Sequence, residues 1–312
     1  MPLVSIRHLT RYRYSRPVAF GQHRMMFRPR ESYDQRVLAA SVAITPAPTR
    51  LRHVQDVFGN CVGIADFGER SAELTFESRV RLEHTPLRAF EELGGDVEPY
   101  RRTTPFAYSA EDMPDLLRSM ERHYPDPKGV LERWARQFVR RVGPTSLQGL
   151  LTDMTCRIHG DFTYQSRPDG AAQAPHETLA LGRGSCRDFA ILMIEAARSL
   201  GLAARYVSGY IYAPSRQASR NGQVGSGHTH AWARIYLPAC GWIEFDPTNG
   251  IVGATDLVRV AIARDPRQAV TLHGTFEGFA SDFLGMDVEV DVVAEGRARA
   301  RDRRITARAT AA

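Results

Sequence analysis

Gly182-Arg-Gly-Ser-Cys-Arg-Asp-Phe-Ala-Ile-Leu-Met-Ile-Glu-Ala-Ala-Arg-Ser-Leu-Gly201 is the stretch whose reading decides the fold. Ser185 followed three residues later by Asp188 has the form of a capping box, which places a helix start at Ser185. Phe189, Leu192, Met193, Ala196, Ala197 and Leu200 recur at helical spacing as a buried stripe, and Gly201 supplies the stop. Cys186 therefore falls in the first turn, beside unpaired backbone N–H groups and the positive end of the helix dipole. That setting favours the thiolate, the nucleophilic form of the side chain. Gly182 and Gly184 are expected to let a substrate backbone come close to the sulfur. A cysteine here is equally readable as a small buried residue packing the helix start, so the chemistry depends on an acid–base partner elsewhere.

That partner is found downstream. Thr229-His-Ala-Trp-Ala-Arg-Ile-Tyr-Leu237 alternates, so His230, Trp232, Arg234 and Tyr236 share one strand face. Trp242-Ile-Glu-Phe245 reads as a second strand running into Asp246-Pro247, and the turn Pro238-Ala-Cys-Gly241 joins the two as a hairpin. Asp246 then returns near His230 and can hold one imidazole nitrogen while the other faces the thiol. Register tests this. If Leu237 paired with Trp242, paired numbers would sum to 479 and the even-numbered His230 and Asp246 would lie on opposite faces. A Cys186–His230–Asp246 arrangement requires an even sum, 476 or 478, supplied by another loop length or by a β-bulge near Gly241.

Outward from this region the chain divides. Residues 1–84 read as strands, with alternation over Val4–Tyr14 and Leu74–Leu82 and a β-branched run over Val37–Ile44, punctuated by prolines and by Gly59-Asn60. This predicts an antiparallel β-sandwich-like domain. Residues 85–108 are a connection. Helical spacing follows over Ala110–Ser119, Val130–Val142 and Ser146–Ile158. Phe162-Thr-Tyr-Gln165 looks extended, and strands are expected over Arg205–Tyr212 and Phe283–Val293. Helices and then strands make residues 109–295 an α+β core. Gly296–Ala312, rich in Arg and Ala, is expected to be a disordered tail.

These residues carry a resemblance. Arg-Gly-Ser-Cys-Arg-Asp-Phe-Ala over 183–190, Leu-Gly-Leu-Ala-Ala-Arg-Tyr-Val-Ser-Gly-Tyr over 200–210, His-Ala-Trp-Ala over 230–233 and Gly-Trp-Ile-Glu-Phe-Asp-Pro-Thr-Asn over 241–249 resemble the bacterial transglutaminase-like family. Tyr-x-Tyr-x-x-Pro-Val over 12–18 and Asp-x-Phe-Gly-Asn over 56–60 are similar to the β-rich domain that often precedes that core. The resemblance implies a papain-like α+β core with a Cys-His-Asp triad, carried onto Cys186, His230 and Asp246. It leaves the reaction open, because the family includes transglutaminases, proteases and other amide hydrolases.

Composition bounds the alternatives. The chain of 312 residues is 43% hydrophobic and 24% charged, ordinary globular proportions. Of the net charge of +6, the six Arg and one Asp of residues 296–312 supply +5, so no nucleic-acid-binding face is read from it. No apolar run approaches the length of a membrane span. Cys61, Cys156, Cys186 and Cys240 are too far apart for a zinc or redox pair, which points to free thiols and a cytoplasmic location. His228 and His230 could share a metal, but no third ligand is evident, and no phosphate loop indicates a cofactor. Tyr164, Gln165 or the Cys186 N–H could serve an oxyanion. Arg187 and Asp188 read as helix-start residues, Arg205 as an ion-pairing or hydrogen-bonding residue, and Trp232 and Trp242 as core or cleft walls. The expected activity is attack on an amide or peptide bond of a peptide or protein substrate through a thioester. Hydrolysis is favoured over transfer to an amine acceptor, and a non-catalytic interaction protein is the rival from another class. Oligomeric state is not read.

Overall fold

The computed structural model describes residues 3–85, 106–167, 171–212, 229–238 and 240–295. The bulk of the expected connection, the whole of the expected tail, and His228 lie outside these described residues.

Strands β1 (Leu3–Phe20), β2 (His23–Met25), β3 (Gln35–Thr45), β4 (Arg50–Gln55), β5 (Cys61–Asp66) and β6 (Arg70–His84) come first. Helices α1 (Met113–Met120), α2 (Val130–Arg136) and α3 (Leu147–Asp161) follow, then the short strand β7 (Thr163–Tyr164), α4 (Pro175–Leu181) and β8 (Arg183–Gly184). The chain continues with α5 (Cys186–Ser199), β9 (Ala204–Ile211), β10 (His230–Leu237), β11 (Gly241–Asp246), β12 (Ile251–Val252) and β13 (Leu257–Ala263). It ends with β14 (Leu272–His273), β15 (Phe276–Glu277) and β16 (Phe283–Glu295).

The first strands form two sheets. One has the order β15-β1-β6-β3, with β16 also paired to β1, and the other β14-β2-β5-β4. Tyr14, Val18, Phe20, Leu74 and Phe76 from the first meet Met25 and Ala65 from the second, with Phe27 just beyond β2, in a shared apolar cluster. This is the sandwich that the period-two alternation predicts. Its other end is not closed on itself. Val4, Ile6, Val80 and Leu82 belong to the same buried cluster as the helices of the core.

The core is an antiparallel sheet of order β12-β11-β10-β9-β13. Helix α5 packs on it, buried on nearly every side from Phe189 to Arg198, and its two charged residues in that span, Glu195 and Arg198, pair with each other at 2.7 Å. Leu147, Leu150, Leu151, Met154 and Ile158 of α3 complete the layer.

Three findings depart from the sequence reading. First, the expected helix over Val130–Val142 stops at Arg136, and the Arg140 N–H is taken by the Thr145 hydroxyl at 2.9 Å ahead of Pro144. Second, β13 is buried at all seven positions and so carries no alternation by which periodicity could find it. Third, residues 283–295 do not belong to a core spanning 109–295. They form β16, which runs antiparallel to β1 from Leu3↔Glu295 to Tyr14↔Phe283 and completes the N-terminal sandwich.

The two parts share a polar seam on β13. The Gln35 side chain donates to the Arg259 carbonyl at 2.8 Å and accepts from the Arg259 N–H at 3.0 Å. Asn60 does the same at Ile262, at 2.8 and 2.9 Å. Two side-chain amides thus stand in for a neighbouring strand and satisfy the edge of β13. The Arg259 guanidinium, itself buried, binds both Asp34 and Glu244. His8 shares a hydrogen bond with the Tyr210 hydroxyl at 2.8 Å and His84 with the Tyr212 hydroxyl at 2.6 Å. Burial pushes both imidazoles down to about 4, so they hold the seam as neutral groups.

Candidate active site

The start of α5 is built around Asp188. One carboxylate oxygen accepts from the Ser185 N–H at 2.7 Å and the Ser185 hydroxyl at 2.8 Å. The other accepts from the Gln173 N–H at 2.7 Å and from Arg167 at 3.0 Å. Asp188 is fully buried. It fixes the first turn and ties it to the segment before α4, the helix-start role expected of it. The glycines serve the scaffold rather than a substrate. Gly182 ends α4 at φ +59°, and a Cβ on Gly184 would come within 2.8 Å of the Asp188 Cβ. Cys186 stands half-buried in that first turn. All four cysteines are free thiols.

The hairpin has the even register. Leu237 pairs with Gly241 and Ala233 with Phe245, so paired numbers sum to 478. Loop length supplies the shift: three residues separate the pair, and Gly241 takes φ +74°. His230 and Asp246 consequently share a face, and His230 Nε2 lies 2.8 Å from Asp246 Oδ2. Both side chains are buried, with a solvent exposure of 0% each. The Trp232 ring covers the imidazole, its centroid 5.9 Å away and its plane inclined by 30°.

Asp246 is itself held in place. Its Oδ1 accepts from the Thr248 N–H at 3.0 Å and the Asn249 N–H at 3.3 Å. The Asn249 amide donates to Oδ2 at 2.8 Å and lies 3.3 Å from His230 Nε2. Asn249 sits in the motif at 241–249, yet nothing in its spacing marks it as a clamp; that follows only from the turn after Pro247.

Charge follows from this geometry. Burial opposes a charged imidazole, but the Asp246 carboxylate and its hydrogen bond, joined by the nearby Cys186 thiol, prevail and hold His230 up to about 10. Burial likewise raises Asp246, and His230, Asn249 and the Thr248 N–H outweigh it, leaving the carboxyl below its usual range. His230 Nδ1 is buried and has no hydrogen-bond partner among the described residues. Free imidazole loses its proton near pH 6.5. The stabilisation from the raised His230 is therefore complete below about 6.5 and is lost as pH climbs through about 10. That from Asp246 is present above the ordinary carboxylate range and is lost as pH falls through its depressed value. In Asp246→Asn the His230 titration should move down by at least two pH units, read from imidazole NMR shifts. An unmoved titration would show that the carboxylate does not set it.

Around this group, Tyr164 pairs with Gly184, two residues before the thiol, and burial raises its hydroxyl, whereas the Gln165 N–H is taken by the Gly184 carbonyl at 2.8 Å. Arg187 donates to the Arg167 carbonyl at 2.6 Å. Gly209 lies opposite His230 on β9, where a Cβ would fall 2.1 Å from the Val258 carbonyl oxygen and 2.6 Å from the Trp232 ring. Gly209→Ala should therefore destabilise the fold by about 1–3 kcal/mol in denaturant unfolding, and the displaced Trp232 should lower turnover as well. Arg205 and Trp242 pack on each other away from the imidazole, at 4.2 Å. Among the described residues no three His, Cys, Asp or Glu side chains converge as metal ligands, and no helix is long and apolar enough to cross a membrane.

Comparison with known proteins places this architecture. Residues 4–83 match the bacterial transglutaminase-like N-terminal region and residues 134–247 the transglutaminase-like superfamily. An uncharacterized protein of Mycobacterium tuberculosis is 29% identical over 294 residues, which is 92% of this chain and 91% of the relative. One from Mycobacterium leprae is 26% identical over 296 residues, 91% of this chain and 96% of its own. Among solved structures, a candidate cysteine protease from Cytophaga hutchinsonii has the same fold, with a TM-score of 0.68 at 18% identity over 94% of this chain and 91% of that one. A β-rich first region, a helix-on-sheet core and matches to both in the expected order show a bacterial transglutaminase-like N-terminal region followed, over residues 134–247, by a core that belongs to the transglutaminase-like superfamily.

Proposed function

We propose that the protein is a thiol enzyme acting on amide or peptide bonds, with Cys186 as nucleophile, His230 as acid–base and Asp246 as the group that orients the imidazole. The observation that carries this reading is the divided imidazole. Nε2 is committed to Asp246 at 2.8 Å, while Nδ1 is buried and has no hydrogen-bond partner among the described residues, and the first-turn thiol favours the protonated ring.

In this reading the Cys186 proton resides on His230 Nδ1. The thiolate adds to the amide carbonyl, the C–N bond breaks, and Nδ1 passes its proton to the departing amine, leaving a thioester. Water then adds to the thioester as Nδ1 takes its proton, and the C–S bond breaks to release the acid and restore the thiolate beside the protonated imidazole. In this reading the Cys186 backbone N–H, at the open end of α5, and the Tyr164 hydroxyl are the oxyanion donors. Hydrolysis is the preferred outcome because water reaches any open thioester, whereas transfer needs a bound amine.

Mass spectrometry of a peptide library incubated with the enzyme, with and without a primary amine, tests the proposal. New termini or Gln-to-Glu conversion indicate hydrolysis, and an amine adduct indicates transfer. A library unchanged by wild type and Cys186→Ala alike would refute the enzyme reading.

A further inference from the structure

Four residues along β10 from His230, Arg234 pairs with Arg205 of β9. Arg205 is half-buried, its guanidinium stands over the Trp242 ring at 4.2 Å, and its Nε donates to the Ser119 hydroxyl at 3.0 Å. Both partners are neutral. Arg264 is placed likewise: Arg198 fixes its carbonyl at 2.8 Å, and its guanidinium stands 5.9 Å from the centre of the Phe58 ring. Among the described residues neither arginine forms an ion pair. The neighbouring Arg234 and Arg259 do, both with Glu244. Arg30 adds a third charge, held by the Phe58 carbonyl and Asn60. Burial, then the charges of Arg234, Arg30 and Arg264, pull Arg205 down to about 10, with no carboxylate to lift it.

These side chains border a cavity of about 490 Å³ lined by Phe58, Arg118, Ser119, Arg205 and Arg264, with Asp115 as the one carboxylate. Asp115 is exposed and, among the described residues, forms no ion pair. A volume of this order holds a small molecule. Arg118 at the rim is paired with Glu121 at 2.8 Å, whereas Arg205 and Arg264 have no such partner among the described residues. Their guanidinium groups create a field for anions, and their forked N–H groups match planar or tetrahedral oxyanions.

We propose that this cavity binds a small polyanion, a phosphate ester or a polycarboxylate, between Arg205 and Arg264 with Arg118 at the rim. The site is separate from the thiol chemistry. It joins α1, the Phe58 turn of the sandwich and the core sheet, so its occupant ties the three together.

Thermal unfolding of the full chain with pyrophosphate and with citrate, against sodium chloride of equal ionic strength, provides the test. A saturable rise in Tm is expected with at least one probe: pyrophosphate alone identifies phosphate, citrate alone polycarboxylate. In Arg264→Gln the half-saturating concentration should rise at least tenfold, while Arg157→Gln, on the outer face of α3, should leave it unchanged. Arg118→Gln, at the exposed rim, should weaken binding at least threefold and covers the case in which Arg264→Gln folds poorly. No saturable rise beyond the salt control with either probe, or equal half-saturation in wild type, Arg264→Gln and Arg118→Gln, would overturn the proposal.

Discussion

Cys186→Ala is expected to lower turnover by about 10⁴-fold or more, and His230→Ala introduced into that variant to cost almost nothing further, because residues acting as one unit do not contribute additively. The same variant should lose the fast phase of alkylation. Exposure alone predicts that Cys156 reacts first, since it is the exposed thiol and Cys186 is only half-buried. Preferential labelling of Cys186 therefore reports chemistry rather than access, and mapping the modified thiol by peptide mass makes the test direct. Labelling in order of exposure, with Cys156 leading, would place Cys186 among the structural cysteines and remove the basis for a nucleophile.

The second large effect concerns the seam. Arg259→Met should destabilise the fold by about 3–5 kcal/mol, the usual cost of leaving buried charge without its partner. Asp34 and Glu244 are both nearly excluded from solvent, and Arg259 is the cation they share. Asp34 also keeps the Ser32 hydroxyl, and Glu244 keeps Arg234 at 3.1 Å, so Asp34 is the more exposed to loss. Adding Asp34→Asn should recover part of the deficit in a double-mutant cycle. A loss below about 1 kcal/mol in chemical denaturation would mean that water or another cation reaches these carboxylates.

What could be read from the chain follows from range. The Ser185–Asp188 pair and the stripe from Phe189 to Leu200 are local, and the helix start emerged with its carboxylate where capping places it. Parity is local too, which is why the requirement of an even register for His230 and Asp246 could be stated from residue numbers. The choice between 476 and 478 could not, because it depends on how tightly Pro238 to Gly241 turns. Roles that arise from three-dimensional neighbours were invisible. Gly184 is small for the sake of Asp188, and Gly209 for Val258 and Trp232. Asn60 looks like a turn residue beside Gly59 and Gln35 carries no signal of its own, yet both act as substitutes for a strand. The destination of Phe283–Glu295 was the largest omission, since alternation identifies a strand and says nothing of its partner.

That last strand bears on how the polypeptide is made. β1 lies between β6 and β16, and Leu3 is paired at once with Glu83 and Glu295. A ribosome adding roughly 5–20 residues per second delivers β6 within seconds of β1. It delivers β16 only after some 200 further residues, roughly 10–40 s later at that rate. Throughout that interval one long margin of β1, Leu3 to Tyr14, is an open template for any passing extended segment. On the outward face of that margin Arg7 and Arg11 already meet Glu77 and Glu73 of β6, whereas Arg13 gains Asp287 when the last strand arrives.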